Sequence, residues 1–417
     1  MTIATGYARI LAKRHMGGIC FLNVRFQEND TQCILTKKSL GNYKEIVGLP
    51  LGSIISIEGA RTTSGTGTPS IEVYSAKVVS VCRVELPDKH NGVTSRTEYD
   101  NRVIGFIGNP DSFNLFRRIA DMNRRVRTVL QSDGYLEFDT GVLQNRFDAG
   151  LAGSFSTRCN ANGKEYHLAM TSEVKLKKLI AGGFERVYEI THSFRNEGVN
   201  ATHYPEFGIL EAYKVGDSLD DSLAIITEIL CELVEADKTG GNVDIFGGGF
   251  SATPKKIVFD SALAASCNRD HCSINDLSRI FPDLFSENTP EFTCIYKALT
   301  KIIAPRFNEP TFITNMPVGF NPFCKIADGQ TTQSVLVAKG MHIATISVDE
   351  NDPDIMQHRL QRQYMETGVP INTGYLDLLR LGIPPISGFG LGMTRLAMLL
   401  VPREKQNVRD VIPFPFI

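Results

Sequence analysis

Between Phe184 and Tyr213 the sequence reads FERVYEITHSFRNEGVNATHYPEFGILEAY, and its middle gathers Arg195, Asn196, Glu197, His203, Glu206 and Phe207 into one polar span. The runs on either side alternate apolar and polar residues, which predicts a long-looped hairpin whose mouth collects charge. Such a mouth suits ATP. An arginine at a strand end offers a fork of donors to an α-phosphate, an imidazole can meet the outer phosphates, and an exposed phenylalanine can stack on adenine. A hairpin with ordinary surface ion pairs accounts for the same composition. A second stretch, SGFGLGMTRLAMLL, places Gly388, Gly390 and Gly392 on a strand that a ligand could approach closely, with Arg395 on the first turn of the next helix. Alternating glycines also serve plain packing, and this spacing is neither the dinucleotide nor the P-loop pattern.

The elements that must position these residues follow from periodicity. From Gly6 to Cys82 five strand-like runs are punctuated by Gly, Asn, Asp and Ser turns, predicting a small closed barrel of the OB type. Phe21 and Phe26, with Lys13, Arg14, His15 and Arg25 nearby, either stack single-stranded nucleic acid on its face or plug its interior. Residues 83–111 are polar and turn-rich and read as a linker, so the domains are expected at 1–95 and 96–417. Ser112 is the expected N-cap of a helix carrying Phe113, Phe116, Ile119, Met122, Val126 and Val129 at helical spacing, with arginines on its other side. A second long helix is expected over 218–238. Strands clustered with flanking helices, without regular β-α alternation, predict an α+β domain on an antiparallel sheet.

Composition narrows the function classes. The 417 residues are 42% hydrophobic and 22% charged with no low-complexity tract, as in a globular chain of two domains. A net charge of −2 argues against wholesale non-specific nucleic-acid binding but leaves room for a local basic face. Nine scattered cysteines without a C-x-x-C pair point to neither a disulfide scaffold nor a zinc site. The opening MTIATGYARILAKRH lacks an apolar signal region, and no stretch is long and apolar enough to span a bilayer, so a cytoplasmic chain without a membrane partner is expected.

Taken together, FRNEG, HYPEFGILEAY, GFGLGMTRLAMLL and the closing NVRDVIPFP resemble motifs two and three of class II aminoacyl-tRNA synthetases, in the right order. GGFERVYEITHSFRNEG, KRHMGG, LPDKHNGVT and PTFIT at 310–314 most resemble the lysyl-tRNA synthetases, and the likeness runs from about Gly6 to Pro415. The resemblance implies that Arg195 holds the α-phosphate and the carbonyl of the reacting amino acid, Glu197 reads the adenine amino group, His203 meets the pyrophosphate and Phe207 stacks under the base. Arg395 would cover the adenine and grip the γ-phosphate. Glu173 and Glu211 would meet the substrate amine, Tyr213 would lie beside the lysine side chain, and Asp349 would stand where the family has a glutamate for the terminal ammonium. Arg14 and Phe21 match basic and aromatic RNA contacts in the barrel. ATP, Mg²⁺, tRNA, an amino acid and a second copy of the chain are the implied cofactors and partners.

Departures cluster at one end of that site. The two metal-binding glutamates of the family fall on Val335 and His342, the latter read as a core histidine, and two further pocket residues fall on Thr345 and Ser347. Valine offers Mg²⁺ no ligand. Restoring both carboxylates is expected to raise activity if metal loss limits it. Three readings follow: a lysine–tRNA ligase, a paralogue that activates another amino acid or loads another acceptor, and an inactive module that binds RNA or nucleotide.

Overall fold

A computed structural model describes residues 3–86, 94–145, 153–239, 251–286, 289–327, 329–368, 371, 373–403 and 406–416. Two compact units emerge, Met1–Phe116 with Pro413–Ile417, and Arg117–Ile412.

In the first unit β1 (Ile3–Met16), β2 (Ile19–Phe26), β3 (Asn29–Thr36), β4 (Ile54–Thr63) and β5 (Pro69–Ser80) close a barrel in the order β1-β2-β3-β5-β4, with α1 (Tyr43–Gly48) between β3 and β4. Strand alternation builds its core. Along β2, Cys20, Leu22, Val24 and Phe26 point inward, while Phe21 stays half-buried. The two phenylalanines therefore divide the alternatives left open by sequence: Phe26 plugs the barrel, and Phe21 lies outside with the Arg14 guanidinium 5.0 Å from its ring. Lys13 is committed to the carbonyls of Val47 and Leu49, and Arg25 to Asp30 and the Phe106 carbonyl, with its guanidinium 3.9 Å from the Phe113 ring.

Where the sequence predicts a linker the chain forms two short helices, α2 (Ser95–Asp100) and α3 (Arg102–Gly108). Asn101 caps α3 by accepting from the Ile104 amide, and buried Arg102 donates to the Pro413 carbonyl. Most of LPDKHNGVT lies outside the described residues. The next helix, α4, spans Pro110–Ser132, so Ser112 is inside it and is not its cap. Asn109 takes that role, its side-chain oxygen accepting from the amides of Asp111 and Ser112, with proline following at the first helical position.

The second unit is built on an eight-stranded sheet. In chain order it runs β6 (Leu136–Glu137), a small sheet of β7 (Leu143–Gln144), β8 (Ser156–Arg158) and β9 (Glu165–Leu168), α5 (Glu173–Ala181), β10 (Arg186–Phe194), β11 (Glu206–Val215) and α6 (Leu219–Thr239). Then follow β12 (Lys255–Val258), α7 (Phe259–Ser266), α8 (Leu277–Ile280), α9 (Glu291–Lys297), β13 (Thr311–Thr314), the short pair β14 (Ile326–Ala327) and β15 (Gln330–Thr331), β16 (Gln333–Ala338) and β17 (Met341–Val348). The chain closes through α10 (Pro353–Thr367), α11 (Thr373–Arg380), β18 (Ile386–Leu391) and α12 (Met393–Met398). The large sheet has the order β12-β13-β16-β17-β18-β11-β10-β6 and is antiparallel except at its two outer pairings. Two apolar clusters flank the site. One joins α5, α10 and α11 through Val174, Leu176, Ile180, Met356, Leu360 and Tyr375, and the other packs α7 and α9 against Ile313, Val335 and Val337.

Candidate active site

Register alone sets out the floor of the site. Antiparallel pairing puts Glu189, Glu211, Gly390, Thr345 and Val335 in one row across the sheet, and Val187, Tyr213, Gly388, Ser347 and Gln333 in the next. Residues two apart on a strand share a face, so Phe207 stands on the face of Glu211 and Tyr213. The glycines clear the middle of this floor: a side chain at Gly388 would meet the Tyr213 ring at 2.3 Å, and one at Gly390 the Glu211 carboxylate at 3.1 Å.

At the hairpin mouth β10 and β11 deliver Arg195 and Phe207 together, the guanidinium lying 5.2 Å from the ring centroid. The Arg195 amide donates to the Pro205 carbonyl, which closes the loop behind it, and its buried Nε has no hydrogen-bond partner. Burial, and then the charge of Arg395, lower the Arg195 pKa. Arg395, on α12, donates through Nη1 to the His342 carbonyl at 2.9 Å and through Nη2 to His203 Nε2 at 3.2 Å. That contact fixes the His203 tautomer, because Nε2 must accept while Nδ1 donates to Asn200 Oδ1 at 3.0 Å. Burial together with Arg395, Lys301 and Arg195 pushes His203 down to about 4, so it is neutral near pH 7. Lys301, which no sequence motif singled out, is thus a third cation acting on this spot. Glu197 is exposed on the loop, its amide donating to the Arg195 carbonyl.

The other end is built around a residue that sequence reasoning missed. α5 buries Val174, Leu176, Lys177 and Ile180, so Lys177 occupies an inward position where the helical period calls for an apolar side chain. Its Nζ, on a residue 0% exposed, lies 2.5 Å from Glu173 Oε1 and 2.5 Å from Asp349 Oδ2. Three rings surround it: Tyr213 at 5.0 Å, Tyr375 at 5.2 Å and Phe323 at 5.7 Å. Burial alone would pull the Lys177 pKa down, but Asp349 and Glu173 outweigh it and hold the ammonium well above its ordinary range. Beside this cluster Glu211 accepts from Thr171 Oγ1 at 2.8 Å and from the Tyr213 hydroxyl at 2.7 Å. Burial and the neighbouring Glu173 raise it to about 7. Burial likewise lifts Asp349 to about 6, against the pull of Lys177.

The family positions for a metal do not fit one here. Val335 is 0% exposed and belongs to the apolar cluster of α7 and α9. His342 is half-buried beside Phe320, with Nε2 3.1 Å from the Ala344 carbonyl and 3.0 Å from Thr345 Oγ1, and the burial of its ring drives it down to about 3. Its ring is only half satisfied, since the buried Nδ1 has no partner. Glu350 is held by Arg359 at 3.2 Å, and Asp328 lies outside the described residues. Among the described residues no group of three or more His, Cys, Asp or Glu is placed to hold a metal ion.

With this geometry in view, the similarity to known proteins decides the family. The profile of the class II tRNA synthetases (D, K and N) matches residues 94–417. This chain belongs to that family. Its relatives include the lysine–tRNA ligases of Enterococcus faecalis, 29% identical over 98% of this chain and 85% of that one, and of Dehalococcoides mccartyi, 30% identical over 98% and 86%. The lysine–tRNA ligase of Streptococcus agalactiae serotype V is 30% identical over 99% of this chain and 87% of its own length. The chain is therefore lysine–tRNA-ligase-like along nearly its whole length, within a family of ligases. No helix among the described residues is long and apolar enough to cross a membrane.

Proposed function

We propose that this chain activates an amino acid with ATP and transfers it to tRNA. The carboxylate oxygen attacks the α-phosphorus, the bond to the β-phosphate breaks and pyrophosphate leaves. A terminal ribose hydroxyl of tRNA then takes the acyl group and AMP departs. One observation carries this reading: Arg195, Arg395 and Lys301 act on one spot around a neutral His203, the two arginines have no carboxylate ion pair among the described residues, and Arg195 Nε awaits a partner. Such a cluster is built for a polyanion. Phe207 gives adenine a face to stack on, Glu197 stands ready for its amino group, and Arg395 would exchange His203 for phosphate oxygens. Glu211 and Glu173 would receive the α-ammonium, with Tyr213 alongside.

The barrel, as an OB-fold, would hold the anticodon end of tRNA through Arg14 and Phe21, and this favours tRNA over another acceptor. Domains at 1–95 and 96–417, a homodimer and a cytoplasmic site of action complete the proposal, and sedimentation of the active species tests the dimer. Mg²⁺ has no place in it at Val335 and His342. The decisive assay is amino-acid-dependent exchange of pyrophosphate into ATP, followed by transfer to total tRNA; no exchange with any amino acid refutes the reading. Lysine is the substrate named for the relatives, and it is the amino acid proposed for this chain, with exchange screened against ornithine and other amino acids beside it.

A further inference from the structure

At the nucleotide end, the strand that carries Phe207 and the helix that carries Arg395 are joined by a single side chain. β18 runs beside β11 from Ile386 opposite Val215 to Leu391 opposite Leu210, then turns at Gly392 into α12. Beyond Leu210 the two strands no longer pair, and the Gly208 amide needs a partner from elsewhere. Thr394, half-buried on the first turn of α12, provides it: its Oγ1 accepts from the Gly208 amide at 2.8 Å. The two backbones are close here, since a side-chain carbon at Gly208 would touch the Met393 Cβ at 3.4 Å and Thr394 Oγ1 at 3.5 Å.

The neighbours of this bond in sequence give it its meaning. Phe207 precedes Gly208, and Arg395 follows Thr394. Arg395 is also restrained by the His342 carbonyl and by His203, and the Gly392 amide donates to the Ile343 carbonyl at 3.0 Å. Those bonds tie α12 to β17 and to the loop before β11. Among the described residues, only Thr394 ties α12 to β11 itself by a hydrogen bond. A planar ligand held between a ring and a guanidinium needs contact on both faces, and opening such a contact by about 0.5–1 Å forfeits about a quarter to a half of its attraction.

We infer that Thr394 is a positioning residue of the nucleotide site: through the Gly208 amide it holds α12 against β11, and so sets the spacing between the Phe207 ring and the Arg395 guanidinium that the adenine base enters. The inference rests on the adenylation reading of the same site. Thr394 touches no substrate in it; the hydroxyl acts through the two residues beside the bond.

Two variants of the full-length chain test this. Thr394→Val keeps the shape and removes the hydroxyl, whereas Thr394→Ser keeps the hydroxyl. In pyrophosphate exchange, Thr394→Val is expected to raise KM for ATP about fivefold or more, as the loss of one hydrogen bond would, and to leave KM for the amino acid unchanged. Thr394→Ser should restore KM for ATP to within about twofold of the unaltered chain. Titration calorimetry with AMP should give the same ranking without turnover. An unchanged KM for ATP in Thr394→Val overturns the inference. So does an equal rise in both KM values, which marks a general loosening of the site, and so does a serine variant as weak as the valine one. The two claims separate on one preparation: exchange that persists with AMP affinity unmoved by Thr394→Val sinks this inference and keeps the adenylation reading, whereas ranked AMP binding without exchange for any amino acid does the reverse. A chain that binds no AMP overturns both.

Discussion

The two ends of the site treat charge in opposite ways. At the nucleotide end, Arg195 and Arg395 repel one another, and the imidazole between Arg395 and the loop has been forced neutral. At the other end the carboxylates lie against groups of the chain itself, Glu173 and Asp349 in ion pairs with Lys177, and Glu211 accepting from Thr171 and Tyr213. Unanswered charge marks where a ligand of opposite sign is needed, and answered charge is held in place by the chain itself. On the proposed reading, the open end is the one that would take the nucleotide, and the filled end is the one that would take the amino acid.

The largest effects should come from breaking the answered end. Lys177→Met strands the buried carboxylate of Asp349 beside half-buried Glu173 and should cost ~3–5 kcal/mol of stability, read as a lower denaturant midpoint at constant slope. An unchanged midpoint would mean that the ion cluster is not formed. Val335→Glu should be of similar size, because it drives a carboxylate into the apolar cluster of α7 and α9; the expectation that restoring this side chain raises activity is therefore reversed. A gain in exchange rate would reinstate it.

At the open end, Arg195→Ala should slow pyrophosphate exchange by about 10²–10³-fold, the loss seen when one preorganised donor is removed, while leaving the denaturant midpoint within experimental error. If the rate holds, Arg195 does not touch the reacting phosphate. A smaller effect is expected from pH. Glu211, raised to about 7, must be ionised to receive an ammonium, so KM for the amino acid should fall as pH rises through that value and level off above it. Glu211→Gln should flatten the profile. Because the folded carboxyl titrates above its ordinary 4.5, it contributes stability that is complete below that pH and lost as pH climbs toward 7. Smallest of all, Arg14→Ala should reduce tRNA affinity without changing exchange, and should lower the salt slope of binding by about one.

The hairpin, the glycine strand and the barrel were legible in the sequence because they depend on period-two alternation and turn residues. Lys177 was not. In TSEVKLKKL it looks like one more surface lysine, and only its i, i+4 spacing from Glu173 hinted at a partner; its burial depends on Asp349, which β17 brings from a distant part of the chain. Ser112 has the side-chain chemistry of a cap, yet Asn109 before proline fits better. Alignment to the family exposed the missing carboxylates at Val335 and His342, but their apolar packing against α7 and α9 could come only from tertiary structure.

The two bare positions on β18 also bear on how such a site can change. With the Tyr213 ring 2.3 Å and the Ala212 carbonyl 2.4 Å from where a Gly388 side chain would begin, that strand has no freedom to acquire new chemistry. Any drift in substrate preference has to be written on β16 and β17 instead, the strands that carry Gln333, Thr345 and Ser347, with Asp349 just past the end of β17.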